Sequence, residues 1–239
     1  MIPAVQRVAF HWSGGKDSAL ALIALLDDED VLVDRLVTTV ERGRNASTVH
    51  DIPTALLRAQ AESIGLPLHT VAIPGPGLTG YTEAMAAAAA EMRREGIDAF
   101  AFGDLAASGV LEHRREQARP LGIEVLTPLG ELTSTECIEH VLASGIRATT
   151  VVVDASLLGP EAVGVPLDRG FVTSLPPGAD PCGELGEYHS FAHDGPLFRW
   201  PVPFVLGAAR RTEERIRTTE GLRTYAYWMA TPLPASHPG

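Results

Sequence analysis

The hexapeptide Ser13-Gly14-Gly15-Lys16-Asp17-Ser18 carries the most concentrated chemistry in this chain. Two glycines allow a tight backbone curl and leave room for a bulky anion. Lys16 brings a full positive charge, and Ser13 and Ser18 bring hydroxyl donors. The six residues stand between two apolar runs: Val8 to Trp12 reads as a buried strand, and Ala19 to Leu26 as a buried helix. A strand, a glycine turn and a helix N-terminus together form an anion site, because free N–H groups and the positive end of the helix dipole meet there. The predicted ligand is a phosphate, and above all a pyrophosphate. A Walker A loop does not fit. It requires Gly-x-x-x-x-Gly-Lys-Ser/Thr, whereas Phe10 holds the first glycine position here and Asp17 follows the lysine.

A second cluster lies far downstream, in Asp180-Pro181-Cys182-Gly183-Glu184-Leu185-Gly186-Glu187-Tyr188-His189-Ser190-Phe191. Its glycines permit a tight turn that carries Glu184, Glu187 and His189 to one ligand. Such carboxylates can hold magnesium, orient ammonia or act as a general base. A solvated acidic turn leading into a strand is the plainer reading.

Other features point elsewhere. Gly75-Pro76-Gly77-Leu78-Thr79-Gly80 has the Gly-x-Gly-x-x-Gly spacing of a dinucleotide loop. Against that, Pro76 lacks an N–H where a pyrophosphate would approach, and this is the third crossover, not the first. His189 and His193 share a strand face and make a zinc pair conceivable beside Cys182, but no further ligand is near in sequence. His50 reads as a helix-start cap, and Phe10 and Trp12 as core.

The elements that position these groups alternate. Strands are expected at Leu32 to Val40, Leu68 to Ile73, Ala99 to Phe102 and Glu124 to Leu126. Helices are expected at Ile52 to Ile64, Tyr81 to Glu95 and His113 to Leu121. This is an α/β chain with a Rossmann-like parallel sheet and helices on both faces. Ligands in such sheets bind beyond the carboxyl ends of the strands, where the Ser13 loop, Thr38-Thr39 and Gly103-Asp104 fall. After Thr127 the pattern changes to a helix (Thr133 to Ser144), a strand (Ala148 to Asp154) and a loop-rich stretch before Tyr188. The division expected is a nucleotide-binding domain at 1–130, a smaller C-terminal α/β lobe at 131–210, and a C-terminal helix and frayed tail at 211–239.

With 239 residues the chain can bury one large core, or a core and a smaller lobe. A net charge of −11 argues against an extended nucleic-acid footprint, which needs a basic face. The two cysteines, Cys137 and Cys182, form no Cys-x-x-Cys and imply no disulfide framework. Neither a signal peptide nor a membrane span is evident, so a cytoplasmic chain without a membrane partner is expected.

The Ser-Gly-Gly-Lys-Asp-Ser loop after the first strand resembles the pyrophosphate loop of the N-type ATP pyrophosphatases, of the adenine nucleotide alpha hydrolase superfamily. Within them, Pro-Cys-Gly-Glu-Leu-Gly-Glu-Tyr-His-Ser-Phe looks like the signature of the diphthine–ammonia ligase family. Gly103-Asp104, Arg115-Glu116, Leu121-Gly122-Ile123 and Pro128-Leu129 follow that family's order, although Gly130 stands where it usually has Trp. The resemblance implies a HUP-type core and an AMP- and pyrophosphate-forming ligase of diphthamide biosynthesis. ATP would adenylate a carboxylate, and ammonia would displace AMP. In that reading Ser13, Gly14, Gly15 and Ser18 cradle the pyrophosphate, and Lys16 neutralises it. Asp17 and Asp104 hold Mg2+, and Thr38 and Thr39 face the adenine. Gly103 lines the nucleotide site, and Arg115 pairs with the acceptor or the α-phosphate. Glu184, Glu187 and His189 form the acceptor side. The partners implied are ATP, ammonia and a carboxylate such as diphthine on an elongation factor; a homodimer is a further expectation. A nucleotide-binding sensor without ligase activity, or amidation of another acceptor, is the alternative.

Overall fold

The computed structural model describes residues 5–47, 51–75, 79–106, 109–218 and 221–235. Five parallel strands form the first sheet: β1 (Gln6–His11), β2 (Val31–Glu41), β3 (Leu68–Ile73), β4 (Ala99–Ala101) and β5 (Glu124–Leu126). Helices α1 (Lys16–Leu26), α2 (Thr54–Ile64), α3 (Tyr81–Arg94) and α4 (Leu111–Ala118) connect them. The strand order is β3-β2-β1-β4-β5. The chain winds outward from β1 to β3 and then returns to the other side of β1. That reversal opens a crevice at the carboxyl ends of β1 and β4. The Rossmann-like α/β core expected from the alternating pattern is therefore present.

Side chains alternate across β1. Val8 and Phe10 join a core with Leu22 of α1 and Leu57 of α2, while Ala9 joins a second core with Met85, Ala89 and Met92 of α3. Both faces are covered, which is why β1 reads as a continuous apolar run. The helix expected over His113 to Leu121 is α-helical only to Ala118 and then tightens to a 3-10 turn at Arg119–Leu121, where Pro120 cannot donate.

Helix α5 (Ser134–Ser144) opens with a capping box. The Thr133 hydroxyl accepts the Glu136 N–H at 3.2 Å, and the Glu136 carboxylate accepts the Thr133 N–H at 2.9 Å. Beyond it lies an antiparallel sheet of β6 (Arg147–Asp154), β7 (Tyr188–Asp194), β9 (Arg210–Thr218) and β10 (Gly221–Met229), in the order β7-β6-β10-β9. The short α6 (Arg169–Ser174) precedes β7, and β8 (Phe204–Leu206) pairs with β11 (Pro232–Pro234). The C-terminal helix expected over 211–239 is thus a β-hairpin. Its alternating Arg223-Thr224-Tyr225-Ala226-Tyr227-Trp228 run has the two-residue period and aromatic content of a strand. Pro232–Pro234, expected in a frayed tail, is paired with β8; 236–239 lie outside the described residues. No helix among the described residues is long and apolar enough to cross a membrane.

The two sheets share one core, in which Phe10, Leu22 and Val141 pack with Val151, Tyr188 and Phe191. A polar tie runs through it. Gln60 of α2 is fully buried. Its amide donates to the Gly14 carbonyl at 3.1 Å and the Ala192 carbonyl at 2.6 Å, and its oxygen accepts the Trp12 indole N–H at 2.9 Å. The Gly14 carbonyl keeps the Ala192 N–H, but replacing Gln60 by Met takes this partner from the buried Trp12 indole N–H and the Ala192 carbonyl, each at about 1–3 kcal/mol. Urea unfolding of Gln60→Met should show a loss of about 2–4 kcal/mol. A loss well under about 1 kcal/mol would mean that the tie contributes little.

Candidate functional site

A cavity of about 650 Å³ opens at the strand-order reversal, within the usual size of a small-ligand pocket. The end of β1 supplies His11 and Trp12, and the loop behind it Ser13, Gly15, Lys16, Asp17 and Ser18. The end of β2 supplies Thr38 and Thr39. Phe102, Gly103 and Asp104 follow β4, and Arg114 comes from α4. The far wall belongs to the second sheet and the turn before it: Gly183, Glu184, Tyr188, His189 and Ser190. The two sequence clusters, more than half the chain apart, face one space.

The loop conformation follows from its glycines. Gly14 has φ +84°, the left-handed region, and a Cβ there would meet the Gln60 oxygen at 2.9 Å. Its carbonyl points away from the cavity and accepts the Ala192 N–H of β7 at 2.9 Å. The Lys16 N–H donates to the Ser190 hydroxyl at 3.2 Å. Strand β7 therefore holds the loop from behind. Ser13 and Ser18 hydroxyls lie 3.0 Å apart, and the Ser18 hydroxyl also donates to the Gly15 carbonyl at 3.0 Å. Gly103 is required for packing as well as for lining: a Cβ would meet the Asp17 and Ser18 backbone of α1 at 3.0 Å.

Lys16 is buried, with Nζ 2.6 Å from Asp17 Oδ2 and 5.2 Å above the Tyr188 ring. Burial pushes its ammonium pKa down, but the Asp17 charge, with Cys182 and Tyr188, outweighs that and holds it well above the ordinary lysine value. The cation is therefore permanent at the cavity floor. Burial first, and then the Asp17 carboxylate, push the Glu184 pKa up to about 7, with Lys16 partly opposing. Burial also drops His11 to about 3, with Arg114 adding to the effect, so the ring is neutral. It stacks on Phe102 at 4.2 Å, and the Arg114 guanidinium covers the same ring at 4.6 Å.

Most of the predicted residues meet here, and three do not: Gly14 is turned toward Gln60 and β7, and Arg115 and Glu187 face elsewhere. Arg115 is exposed and faces Glu112 at 3.8 Å. Its neighbour Arg114 takes the place at the cavity, donating to Asp104 at 3.0 Å and to the Tyr81 hydroxyl at 3.3 Å. Successive helix residues point about 100° apart, so only one of the pair can face the ligand. Glu187, expected on the acceptor side, is turned inward and buried. Its oxygens accept the Asp180 N–H at 2.8 Å and the Leu185 N–H at 3.1 Å, so the carboxylate shapes the turn instead of facing the cavity. The His189–His193 zinc pair does not form. His193 sits 3.2 Å from the Thr149 hydroxyl and packs on Phe204, while His189 lines the cavity. His50 and the 76–78 part of the glycine motif lie outside the described residues. Sequence reading missed Arg114, Tyr188 and Ser190; the last two were visible only as strand residues beside the conspicuous glutamates.

Residues 6–123 match the family model "Diphthamide synthase N-terminal domain". This segment belongs to the diphthine–ammonia ligase family of PP-loop ATP pyrophosphatases. The diphthamide synthase domain so defined spans the first four parallel strands and ends just before β5. Two solved structures are similar. One is a predicted subunit of tRNA methyltransferase from Methanocaldococcus jannaschii DSM, at 14% identity over 80% of this chain and 98% of that one, with a TM-score of 0.42. The other is the U34-tRNA thiolase NcsA from Methanococcus maripaludis with its 4Fe–4S cluster, at 16% identity over 57% of this chain and 56% of that one, with a TM-score of 0.38. Comparison with the curated proteins finds no match.

Glu184 couples folding to pH. Between pH of about 4.5 and 7 the folded chain keeps a proton that the unfolded chain has released, so this group's contribution to stability falls as pH rises through that window. Glu184→Gln removes the dependence. The wild-type urea midpoint, taken relative to the variant's, is expected to decline across the window. A constant difference would show that Glu184 titrates like a solvated glutamate.

Proposed function

We propose that the chain is an ATP pyrophosphatase that activates a carboxylate as its adenylate and passes it to ammonia, giving an amide, AMP and pyrophosphate. One observation carries this reading: the buried Lys16 and its glycine loop share a single cavity with Glu184 and His189. A domain at 1–130 would hold ATP and a lobe at 131–210 the acceptor. In the first step a carboxylate oxygen attacks the α-phosphorus and the α–β bond breaks. Developing charge on the pyrophosphate would be met by the Lys16 ammonium, the loop N–H groups and the Ser13 and Ser18 hydroxyls. Such donors act strongly because they are fixed in place before the charge appears. Thr38 and Thr39, at the end of β2, would face the adenine. Arg114 would pair with the α-phosphate or the acceptor, the role first expected of Arg115.

In the second step ammonia attacks the acyl carbon, sheds a proton and displaces AMP. Glu184 is suited to accept that proton, since a base works best with a pKa near the working pH. His189 lines the same wall and would orient the acceptor. The carboxylates of the cavity fit magnesium, which takes one or two of them and fills its sphere with phosphate oxygens and water. Asp104 and Asp17 were the expected ligands. Asp17 already has both oxygens engaged, by Lys16 and by two thiols. Asp104, which shares the cavity with Glu184, is left as the better holder. The ion's chemistry there would be to neutralise the phosphates.

The test uses α-labelled ATP with magnesium and ammonium, with and without a diphthine-bearing elongation factor, separating AMP from ADP. AMP formation dependent on the factor supports both the chemistry and the acceptor; AMP without it keeps the chemistry and points to another carboxylate. ADP would overturn the reading, and binding without cleavage would favour a nucleotide sensor. Lys16→Met should lower AMP formation about 100- to 1,000-fold, the usual cost of losing one charge-stabilising donor. Retention of near-normal turnover would remove Lys16 from the mechanism.

A further inference from the structure

The chain's two cysteines, distant in sequence, meet beneath the glycine loop. Cys137 stands in the first turn of α5, and Cys182 in the turn before β7. Both are fully buried. Both thiols point at the same oxygen of a third element: Cys182 Sγ lies 3.4 Å and Cys137 Sγ 3.8 Å from Asp17 Oδ1. The three ligand atoms all lie within 4.8 Å of one another.

These separations are those of ligands around one small ion. Zinc binds thiolate sulfur at about 2.3 Å and carboxylate oxygen at about 2.0 Å, tetrahedrally. A sulfur and an oxygen on one tetrahedral zinc are then about 3.5 Å apart, and two sulfurs about 3.8 Å. The observed sulfur–oxygen distances fall on either side of the first figure. We propose that Asp17, Cys137 and Cys182 bind a single zinc ion beneath the floor of the cavity, which Asp17 lines.

The chemistry of the donors selects the ion. Two sulfurs disfavour magnesium and calcium, which take oxygen ligands. An iron–sulfur cluster is generally held by four thiolates, and the chain has only these two cysteines. Binding would release both thiol protons to solvent and leave two thiolates and one carboxylate around the dication. The resulting negative excess is offset by Lys16, whose Nζ holds the other Asp17 oxygen at 2.6 Å. The surroundings also fix the ligands. The Cys182 N–H donates to Asp180 Oδ1 at 2.8 Å, and the capping box holds the start of α5. The proposal does not depend on the ATP reading, because it rests on the ligand geometry alone.

The full chain, stripped with a chelator under reducing conditions, is titrated with cobalt(II) as the spectroscopic probe and then with zinc. The expected result is one equivalent bound, a thiolate-to-cobalt charge-transfer band, and displacement by zinc. Cys137→Ser and Cys182→Ser, each checked for folding by circular dichroism, should lose the band and bind zinc at least tenfold more weakly. Because either variant could fail to fold, the wild-type chain carries a second readout: zinc should raise its Tm and protect both thiols from alkylation. No band with folded wild-type protein would overturn the proposal. Equal binding by wild type and both folded variants would do the same, by marking the ion as adventitious. So would thiols that alkylate at the same rate with and without zinc.

Discussion

The Gln60 side-chain amide is the constraint on which the rest of this structure depends. It is buried between two sheets and has partners on both. Through the Trp12 indole and the Gly14 carbonyl it fixes the end of β1 and the glycine loop; through the Ala192 carbonyl it fixes β7. A buried amide must satisfy its donors and acceptor or lose stability. The satisfied arrangement exists only when the parallel sheet, α2 and the second sheet sit in one relation. The cavity is what that relation leaves open, so its two walls are set by a hydrogen-bond requirement as well as by apolar packing.

The same tie explains how an acidic chain presents an anion site. The cavity sets Lys16, Arg114 and the N-terminus of α1 beside Asp17, Asp104 and Glu184. A buried ammonium needs a counter-ion, and Asp17 is bonded to it. That pairing keeps Lys16 charged in a place where burial alone would neutralise it. Its carboxylate also adds to burial in raising the Glu184 pKa to about 7, while Lys16 partly opposes it. One ion pair at the floor thus keeps the cation charged and acts in both directions on the acid that shares its cavity.

Burial at this floor has a further consequence for the two cysteines. Each was unremarkable along the chain, one within a helix and one within a turn. Closing the second sheet onto α1 and α5 delivers both sulfurs to one carboxylate oxygen. Ligand sets assembled from separate elements in this way leave no spacing motif, since no short segment carries more than one donor.

The sequence by itself determined the parallel core and the location of the phosphate loop. Apolar runs, glycine stops and the period of each helix are local properties, and they placed the β–α alternation with few errors. They also placed the Ser13–Ser18 turn at a strand end. Legibility ended where the decision was non-local. Arg114 and Arg115 are equivalent in a sequence, and only the docking of α4 on the sheet chose between them. Glu184 and Glu187 are three residues apart in one turn, and only the backbone N–H groups of that turn decided that one faces the cavity while the other holds the loop. The C-terminal hairpin, expected as a helix, carries a strand period in its own residues, and only its docking on β6 is a long-range event. Tertiary structure alone brought Asp17, Cys137 and Cys182 together, because their meeting depends on the packing of three separate elements and on no interaction between neighbours in the chain.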